Sequence, residues 1–252
     1  MFLEVCIDSA ESAKAAVKGG ADRLELCSSL VIGGLSPSVA LLEETLGICR
    51  KGRKVAVNAM VRPRFGDFLY TDSEKSEMKA TIAAMRPKKP DGFVFGALDR
   101  SGRLDKAFLS ELVKSTKRFT HTLHRAFDLT RDPFEALETA IELGFDTILT
   151  SGQASSALKG AELLKELNER AAGRITILAG AGISAENVTD IAKTTGITNF
   201  HASAKTTLQS KMKFRREGVP MGLPGISEYE IWRTDPAKVR SIRKALDKLR
   251  IK

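Results

Sequence analysis

Short strand-forming runs alternate with longer amphipathic runs along almost the whole chain. The predicted strands are Phe2–Ile7, Arg23–Cys27, Val55–Val61, Gly92–Gly96, Thr120–His124, Thr147–Thr150, Ile175–Ala179 and Asn199–Ala202. The predicted helices are Ala10–Lys18, Val39–Cys49, Ser73–Met85, Lys106–Ser115, Pro133–Leu143, Ser155–Ala171, Ala185–Thr194 and Pro236–Arg250. Some eight strand–helix units in a chain of 252 residues are typical of a TIM (β/α)8 barrel. We therefore predict an α/β fold with a single TIM-barrel domain over residues 1–252.

Residues that start and stop helices support these bounds. The predicted N-terminal caps are Ser9, Ser36-Pro37, Asp72, Asp105, Asp132-Pro133, Ser184 and Asp235-Pro236. Such side chains accept hydrogen bonds from the free N–H groups of a first helical turn, and proline suits its first position. The predicted stops are Gly19-Gly20, Gly144, Gly173 and Gly196, because glycine readily takes the left-handed conformation that ends a helix.

The segment from 204 to 234 interrupts this rhythm between the eighth strand and the last helix. Its periodicity is weak and it contains Pro220 and Pro224, so we predict a long loop. Loops of that length are lids, binding segments or oligomer contacts, with a disordered insert as the alternative. The rival fold is a doubly wound open sheet. It normally carries a dinucleotide fingerprint after its first strand, whereas the residues that follow here are Asp8-Ser9-Ala10-Glu11.

Charge and composition narrow the function classes. The chain has 40 basic and 31 acidic residues, a net charge of +9. The basic residues are densest at 50–54, 88–89, 211–216 and 238–252, which indicates solvated surface or a field that draws anions to a cleft. Two tyrosines and one tryptophan form no aromatic platform among these runs, so we expect no nucleic-acid partner.

Cysteine usage points to a reducing compartment. Cys6, Cys27 and Cys49 are an odd number without disulfide spacing. The N-terminus enters a strand at once without a signal-peptide pattern, and no apolar run is long enough to span a bilayer. We therefore expect a cytoplasmic protein without a membrane partner.

Two stretches near the start of the chain repeat the same pattern, Leu3-Glu4-Val5-Cys6 and Leu24-Glu25-Leu26-Cys27. Side chains two apart on a strand share a face, and two strands joined by one helix are parallel and usually adjacent. Two carboxylates and two thiols are thus predicted to be neighbours. Two thiolates suffice for linear Cu(I), so Cys6 and Cys27 are candidate metal ligands. Cys49 ends a helix and is interpreted as a small buried hydrophobe.

Polar residues collect at the C-terminal ends of the predicted strands, where the active site of a TIM barrel lies. Besides the two repeats, they are Asp8, Ser28, Asn58, Arg62, Arg64, Asp67, His121, His124, Arg125, Asp128, Thr150, Ser151, Gln153, Gly180, Gly182, His201 and Ser203. Their convergence on one end of the barrel predicts a single polar cavity there.

Several of these residues are suited to hold an anion. Arg62 and Arg64 flank Pro63 and match a carboxylate or phosphate in two-point contact. Small residues after strands seven and eight let backbone N–H groups approach such a ligand. The further candidates for substrate binding are Arg125, Ser151, Gly180, Gly182, His201 and Ser203.

Catalytic roles can be assigned on residue type. His124 is a candidate general acid or base, oriented by Asp128 or by a strand carboxylate. Glu4 and Glu25 are candidates for an acid–base pair, since like charges in one cavity do not both ionise cheaply.

A structural interpretation of the two glutamates stands beside the catalytic one. In that interpretation Glu4 and Glu25 only neutralise Arg62 and Arg125. The residues leave both interpretations open.

A set of short motifs, spread in order along the chain, is shared with a known protein family. These motifs are Leu3-Glu4-Val5-Cys6-Ile7-Asp8-Ser9, Gly19-Gly20-Ala21-Asp22-Arg23-Leu24-Glu25-Leu26-Cys27, Val61-Arg62-Pro63-Arg64, Gly66-Asp67-Phe68, Phe95-Gly96-Ala97-Leu98, His124-Arg125-Ala126-Phe127-Asp128, Leu149-Thr150-Ser151-Gly152, Gly182-Ile183, Phe200-His201 and Lys213-Phe214-Arg215. Through them the chain resembles the CutC copper homeostasis family. The resemblance implies a cytoplasmic TIM barrel that self-associates and handles Cu(I), with Cys27 as the copper cysteine and Cys6 as its partner. Where the family usually has a glycine triplet after strand seven, this chain has Ala181 in the middle.

Two hypotheses of function follow. The first is a copper homeostasis protein that binds Cu(I) through Cys27 and Cys6. The second is a lyase, isomerase or hydrolase whose small anionic substrate is held by Arg62 and Arg64, because copper carriage does not call for arginines, a histidine and carboxylates in one cavity. A scaffold with an inactive site is the third possibility.

Overall fold

Eight parallel strands close into a barrel. The computed structural model describes residues 1–51 and 54–249. The barrel strands are β1 Phe2–Ile7, β2 Arg23–Leu26, β3 Ala56–Met60, β4 Gly92–Phe95, β5 Thr120–Leu123, β6 Thr147–Thr150, β7 Thr176–Ala179 and β8 Asn199–Ala202. Each strand pairs with its neighbours in sequence, and β8 closes the ring on β1. The prediction of a TIM barrel is confirmed.

Helices follow the barrel strands in the same alternation. They are α1 Ala10–Gly19, α2 Val39–Cys49, α3 Asp72–Met85, α4 Lys106–Ser115, α5 Pro133–Leu143, α6 Ala161–Ala171, α7 Val188–Thr195 and α8 Pro236–Leu249. Ser9, Asp105 and Asp132 cap their helices as predicted. Three caps were assigned wrongly. Ser38 caps α2 in place of Ser36-Pro37, Thr71 caps α3 in place of Asp72 through a reciprocal capping box with Glu74, and the N-cap position of α7 is Asn187 and not Ser184.

Two helices begin later than their periodicity predicted. Residues 155–160 form a turn before α6, and Gly160 packs so tightly that an added Cβ would lie 2.0 Å from the Ser151 carbonyl oxygen. Before α7, the Asn187 side chain accepts from Ser184 N at 3.0 Å and donates to the Gly182 carbonyl at 2.7 Å. These loop contacts outweigh helix propensity. The predicted end of the last helix at Arg250, and positions 52, 53 and 250–252 of the basic runs, lie outside the described residues.

The segment predicted as one long loop contains a β-hairpin. β9 Lys205–Gln209 pairs antiparallel with β10 Glu230–Thr234, and residues 210–229 between them have no helix or strand. The Lys205 ammonium lies 3.4 Å from the centre of the Trp232 ring, and Thr234 N donates to Ser12 Oγ at 3.1 Å. These contacts fix the hairpin beside the start of α1, which weak periodicity did not reveal.

The barrel wall separates two layers of side chains. Leu3, Val5 and Ile7 belong to the main core between strands and helices, where Cys49 is also fully buried as predicted. Alternation along the strand therefore turns Glu4 and Cys6 inward. The described helices include none long and apolar enough to cross a bilayer.

Candidate functional site

A cavity of about 190 Å³ opens at the C-terminal ends of the strands. Its lining residues are Cys6, Glu25, Leu30, Gly33, Met60, Arg62, Phe68, His124, Arg125, Leu149 and His201. We call it the mouth cavity. Six polar residues predicted at the strand ends line it: Cys6, Glu25, Arg62, His124, Arg125 and His201.

One wall of the cavity rests on a buried charge network. Glu4, with no exposed surface, accepts from Arg23 Nε through one oxygen and from His201 Nδ1 at 2.7 Å through the other. Burial alone would raise the pKa of Glu4, but Arg23 and His201 outweigh it and hold that pKa well below its usual value. Glu4 thus neutralises Arg23 and His201, and the expectation that it would neutralise the mouth arginines is wrong.

Two thiols, a carboxyl and an imidazole lie together beside this network. The donor atoms of Cys6, Glu25 and His201 all lie within 4.8 Å of one another. Cys27 Sγ lies 3.5 Å from Glu25 Oε2, which is 3.9 Å from His201 Nε2. We call Cys6, Cys27, Glu25 and His201 the thiol cluster. Such a set of S, N and O atoms can ligate a soft metal ion.

Burial controls protonation in the thiol cluster. It raises the pKa of Cys27, and the neighbouring Glu25 raises that pKa further. Burial likewise raises the pKa of Glu25. For His201, burial works toward a lower pKa, but Cys6, Glu25 and Glu4 raise it well above the usual value. The cluster therefore favours a protonated Cys27 thiol and a charged His201 imidazole when no metal is bound.

The opposite wall is built around Arg62, which is 8% exposed. Its Nη1 donates to the carbonyls of Gly33 and Gly34, both at 3.3 Å, and its Nη2 to the Gly66 carbonyl at 2.9 Å. Its guanidinium carbon lies 4.9 Å from the centre of the Phe68 ring. Among residues 1–51 and 54–249, no carboxylate forms an ion pair with Arg62. A buried positive charge here has carbonyl dipoles around it but no counter-charge.

His124 lies beside Arg62 and is 3% exposed. Its Nδ1 accepts a hydrogen bond from Ala126 N at 3.2 Å, and its ring centre is 4.8 Å from that of Phe68. Burial, helped by the charge of Arg62, lowers the pKa of His124 to about 3. A Cβ added at Gly96 would lie 2.8 Å from Nδ1, so glycine makes room for the ring. His124 is therefore a fixed neutral imidazole at neutral pH.

Arg64 does not share the position of Arg62. Its guanidinium bonds Glu74 at 2.5 Å and Asp67 at 3.0 Å, and also donates to the carbonyls of Phe65, Asp67 and Leu69. It is absent from the lining of the mouth cavity. The structure therefore does not bring the two arginines together as a clamp.

Asp128 holds a loop and does not contact His124. It accepts from Arg125 Nε at 2.7 Å, Thr150 Oγ1 at 2.5 Å and Ser151 Oγ at 2.9 Å. Arg125 also donates to Ser151 Oγ at 3.0 Å, so its charge is matched by Asp128 and not by Glu25. The predicted orientation of His124 by Asp128 is wrong, because the backbone of Ala126 performs it.

The loops after β7 and β8 lie at the edge of the site. A Cβ built on Gly180 would be 3.6 Å from His201, whereas one built on Gly182 would be 3.6 Å from Ser156, and the Gly182 carbonyl accepts from the Asn187 side chain. Ala181 adopts a left-handed φ of 71° where the resemblance implies glycine. Ser203 lines a second cavity of about 200 Å³, whose other walls come from the β9–β10 hairpin and from Cys6, Asp8, Ser12 and Leu30.

A comparison with known sequence families shows which family the chain belongs to. The sequence model of the CutC family matches residues 1–206. The chain belongs to the CutC family.

Relatives of the CutC chain match over most of its length. The human "Copper homeostasis protein cutC homolog" is 46% identical over 242 residues, 96% of this chain and 87% of that protein. A "family protein CutC" of Bacteroides fragilis strain YCH46 is 46% identical over 233 residues, 91% of this chain and 90% of that protein. A solved CutC structure from Streptococcus agalactiae has a TM-score of 0.77 at 28% identity, over 81% of this chain and 98% of that one.

A CutC residue that sequence reasoning missed is Arg23, the partner of Glu4. It lies two before Glu25 on β2, so strand alternation could have identified it as inward-facing. His121 was placed in the mouth, but its Nε2 bonds Thr116 Oγ1 at 2.8 Å outside the barrel. An odd spacing from His124 puts the two side chains on opposite faces.

Proposed function

We propose that this protein binds Cu(I) in the cytoplasm through Cys6 and Cys27, with His201 as a third ligand, and serves copper homeostasis. The observation that carries the proposal is the thiol cluster, in which Cys6, Glu25 and His201 have donor atoms within 4.8 Å. Soft thiolate sulfur favours Cu(I) over harder ions. The name of the human relative supports the same assignment.

The bond between Glu4 and His201 also supports a metal ligand. Metal-binding histidines usually donate their second ring N–H to a carboxylate, which fixes the orientation of the ring. Glu4 takes Nδ1 of His201, so Nε2 is the nitrogen left for the thiol cluster. Glu4 is thus a positioning residue in this proposal, in place of the catalytic role considered from the sequence.

Copper binding is expected to release protons. Thiols bind metal as thiolates, and burial beside Glu25 raises the pKa of Cys27. Affinity for Cu(I) should therefore fall as the pH is lowered. Such a site suits a reducing compartment, where all three cysteines stay free as they are in this structure.

The test is a competition titration with a Cu(I) chelator under anaerobic, reducing conditions. Wild type is compared with Cys27→Ser, Cys6→Ser and the double variant, and Cys49→Ser serves as the matched control because Cys49 lies in the outer core. We expect large losses of affinity in the first three and none in the control. Equal affinity of the double variant and wild type would refute the proposal.

A further inference from the structure

We propose that Arg62 and His124 form a binding site for a small monoanionic carboxylate, separate from the thiol cluster and independent of copper. Both residues line the mouth cavity, and both are more than nine-tenths buried. Neither Arg62 Nε nor His124 Nε2 has a hydrogen-bond partner in the described part of the chain. Buried donors without partners are uncommon in proteins, because each lost hydrogen bond destabilises the fold.

The hydrogen bond made by Nδ1 determines which ring nitrogen of His124 carries the proton. Nδ1 accepts from Ala126 N–H, so it carries no proton, and the neutral ring must carry its proton on Nε2. The backbone therefore sets the tautomer without any carboxylate. His124 therefore presents an Nε2–H donor in a buried wall of the cavity. Such a donor can bind a ligand oxygen that accepts a hydrogen bond, but not a ligand group that donates one.

Charge selects the class of ligand. Arg62 contributes one buried positive charge, and its Nη atoms donate to the carbonyl oxygens of Gly33, Gly34 and Gly66. A buried charge without a counter-charge is costly, and one ligand carboxylate would neutralise it. A phosphate monoester carries close to two negative charges at neutral pH and would overcompensate. The other arginine of this cavity, Arg125, is already paired with Asp128.

Size and polarity limit the rest of the ligand. The cavity measures about 190 Å³, below the range of drug-sized sites. Leu30, Met60, Phe68 and Leu149 give it an apolar part. Phe68 contacts both proposed binding residues, with its ring 4.9 Å from the Arg62 guanidinium carbon and 4.8 Å from the His124 ring centre. A carboxylate with a short carbon chain fits this combination.

The experiment measures binding of acetate, pyruvate and isobutyrate to metal-free protein by calorimetry and thermal shift, with inorganic phosphate as the competing class. His124→Asn removes the donor at Nε2, whereas His124→Gln places an amide N–H near that position. Losing a hydrogen bond to a charged group should weaken binding about tenfold in His124→Asn. His124→Gln should retain most of the affinity.

Two arginine substitutions complete the set of variants, one at Arg62 and one at an arginine outside the cavity. Arg62→Lys should weaken carboxylate binding because one ammonium group cannot keep the contacts of both Nη atoms and also replace the free Nε–H donor. Arg103→Lys, on an exposed pair with Glu135, should not weaken it. The Cys6→Ser/Cys27→Ser variant should bind carboxylate like wild type, which separates this site from the copper proposal.

Should Arg62→Lys fail to fold, the histidine pair and ¹⁵N imidazole shifts of wild type still decide the matter. Saturable binding of a monocarboxylate, weakened in His124→Asn and reporting an Nε2–H tautomer, supports the site. Absence of carboxylate binding, equal binding in both histidine variants, or tighter binding of phosphate would overturn it.

Discussion

The two walls of the mouth cavity use buried charge in opposite ways. On the wall formed by β1, β2 and β8, each charged group is matched by another side chain, as Glu4 is by Arg23 and His201. On the wall that carries Arg62 and His124, the partners are backbone carbonyls and a backbone N–H, and one atom of each side chain is left over. Within the described residues, the buried charge of Glu4 is therefore matched by side chains, although Glu25 Oε1 on the same wall has no hydrogen-bond partner, whereas the buried charge of Arg62 has no side-chain counter-charge.

The largest effect is expected from removing the carboxylate of Glu4, which pairs with Arg23 and His201. Glu4→Gln leaves Arg23 and the charged His201 without their carboxylate in a buried position, and should lower the free energy of unfolding by about 3–5 kcal/mol. Urea denaturation monitored by circular dichroism measures this. Glu138→Gln is the control because Glu138 pairs with Arg174 at the surface, and it should change stability little. A loss no larger than that of the control would show that the network contributes little.

A smaller effect is expected from filling the space beside His124. Gly96→Ala would put a Cβ 2.8 Å from His124 Nδ1, so the ring or the strand must shift. Overpacking of this kind costs about 1–3 kcal/mol. Thermal unfolding measures the cost, and carboxylate titration measures the displaced Nε2 donor. An unchanged melting temperature together with unchanged binding would mean that the ring is not fixed here.

Titration of His124 should lower the free energy of unfolding by about 0.7 kcal/mol between pH 7 and pH 6. The unfolded imidazole binds about half a proton on average over this range, and one differential proton is worth about 1.4 kcal/mol per pH unit. The folded pKa of about 3 lies below the unfolded value, so the unfolded chain binds the extra proton. Stability should therefore fall as the pH decreases below about 6.5 toward 3. The His124→Gln variant should show a shallower dependence in urea melts. Identical slopes in the two proteins would contradict the lowered pKa.

The smallest effect is expected at the other arginine of the predicted pair. Arg64→Lys keeps the charge beside Glu74 and Asp67 and should cost under about 1 kcal/mol, since such partly exposed pairs contribute little. Its affinity for pyruvate should equal that of wild type. A loss of pyruvate affinity comparable to that of Arg62→Lys would show that both arginines hold the ligand.

Sequence alone predicted the barrel and the location of the cavity, because alternation of elements fixes which strand ends meet. It did not predict the partners within the cavity. Arg62 and Arg64 are two apart and look equivalent, but β3 ends at Met60, so strand alternation no longer governs them. Asp128 looked like a partner for His124, yet the turn after β5 delivers it to Ser151. In both cases the geometry of the turn after the strand decides where the side chain lies, and secondary-structure propensities do not predict that geometry.

Because Cys6, His201, Arg62 and His124 all line one small chamber, a titration at one wall can test for a ligand at the other. If a bound monocarboxylate changes the dissociation constant for Cu(I) by some factor, Cu(I) must change that of the carboxylate by the same factor. A Cu(I) titration repeated at several pyruvate concentrations would then measure this factor. The dissociation constant of the metal would thereby report whether carboxylate is bound at the opposite wall.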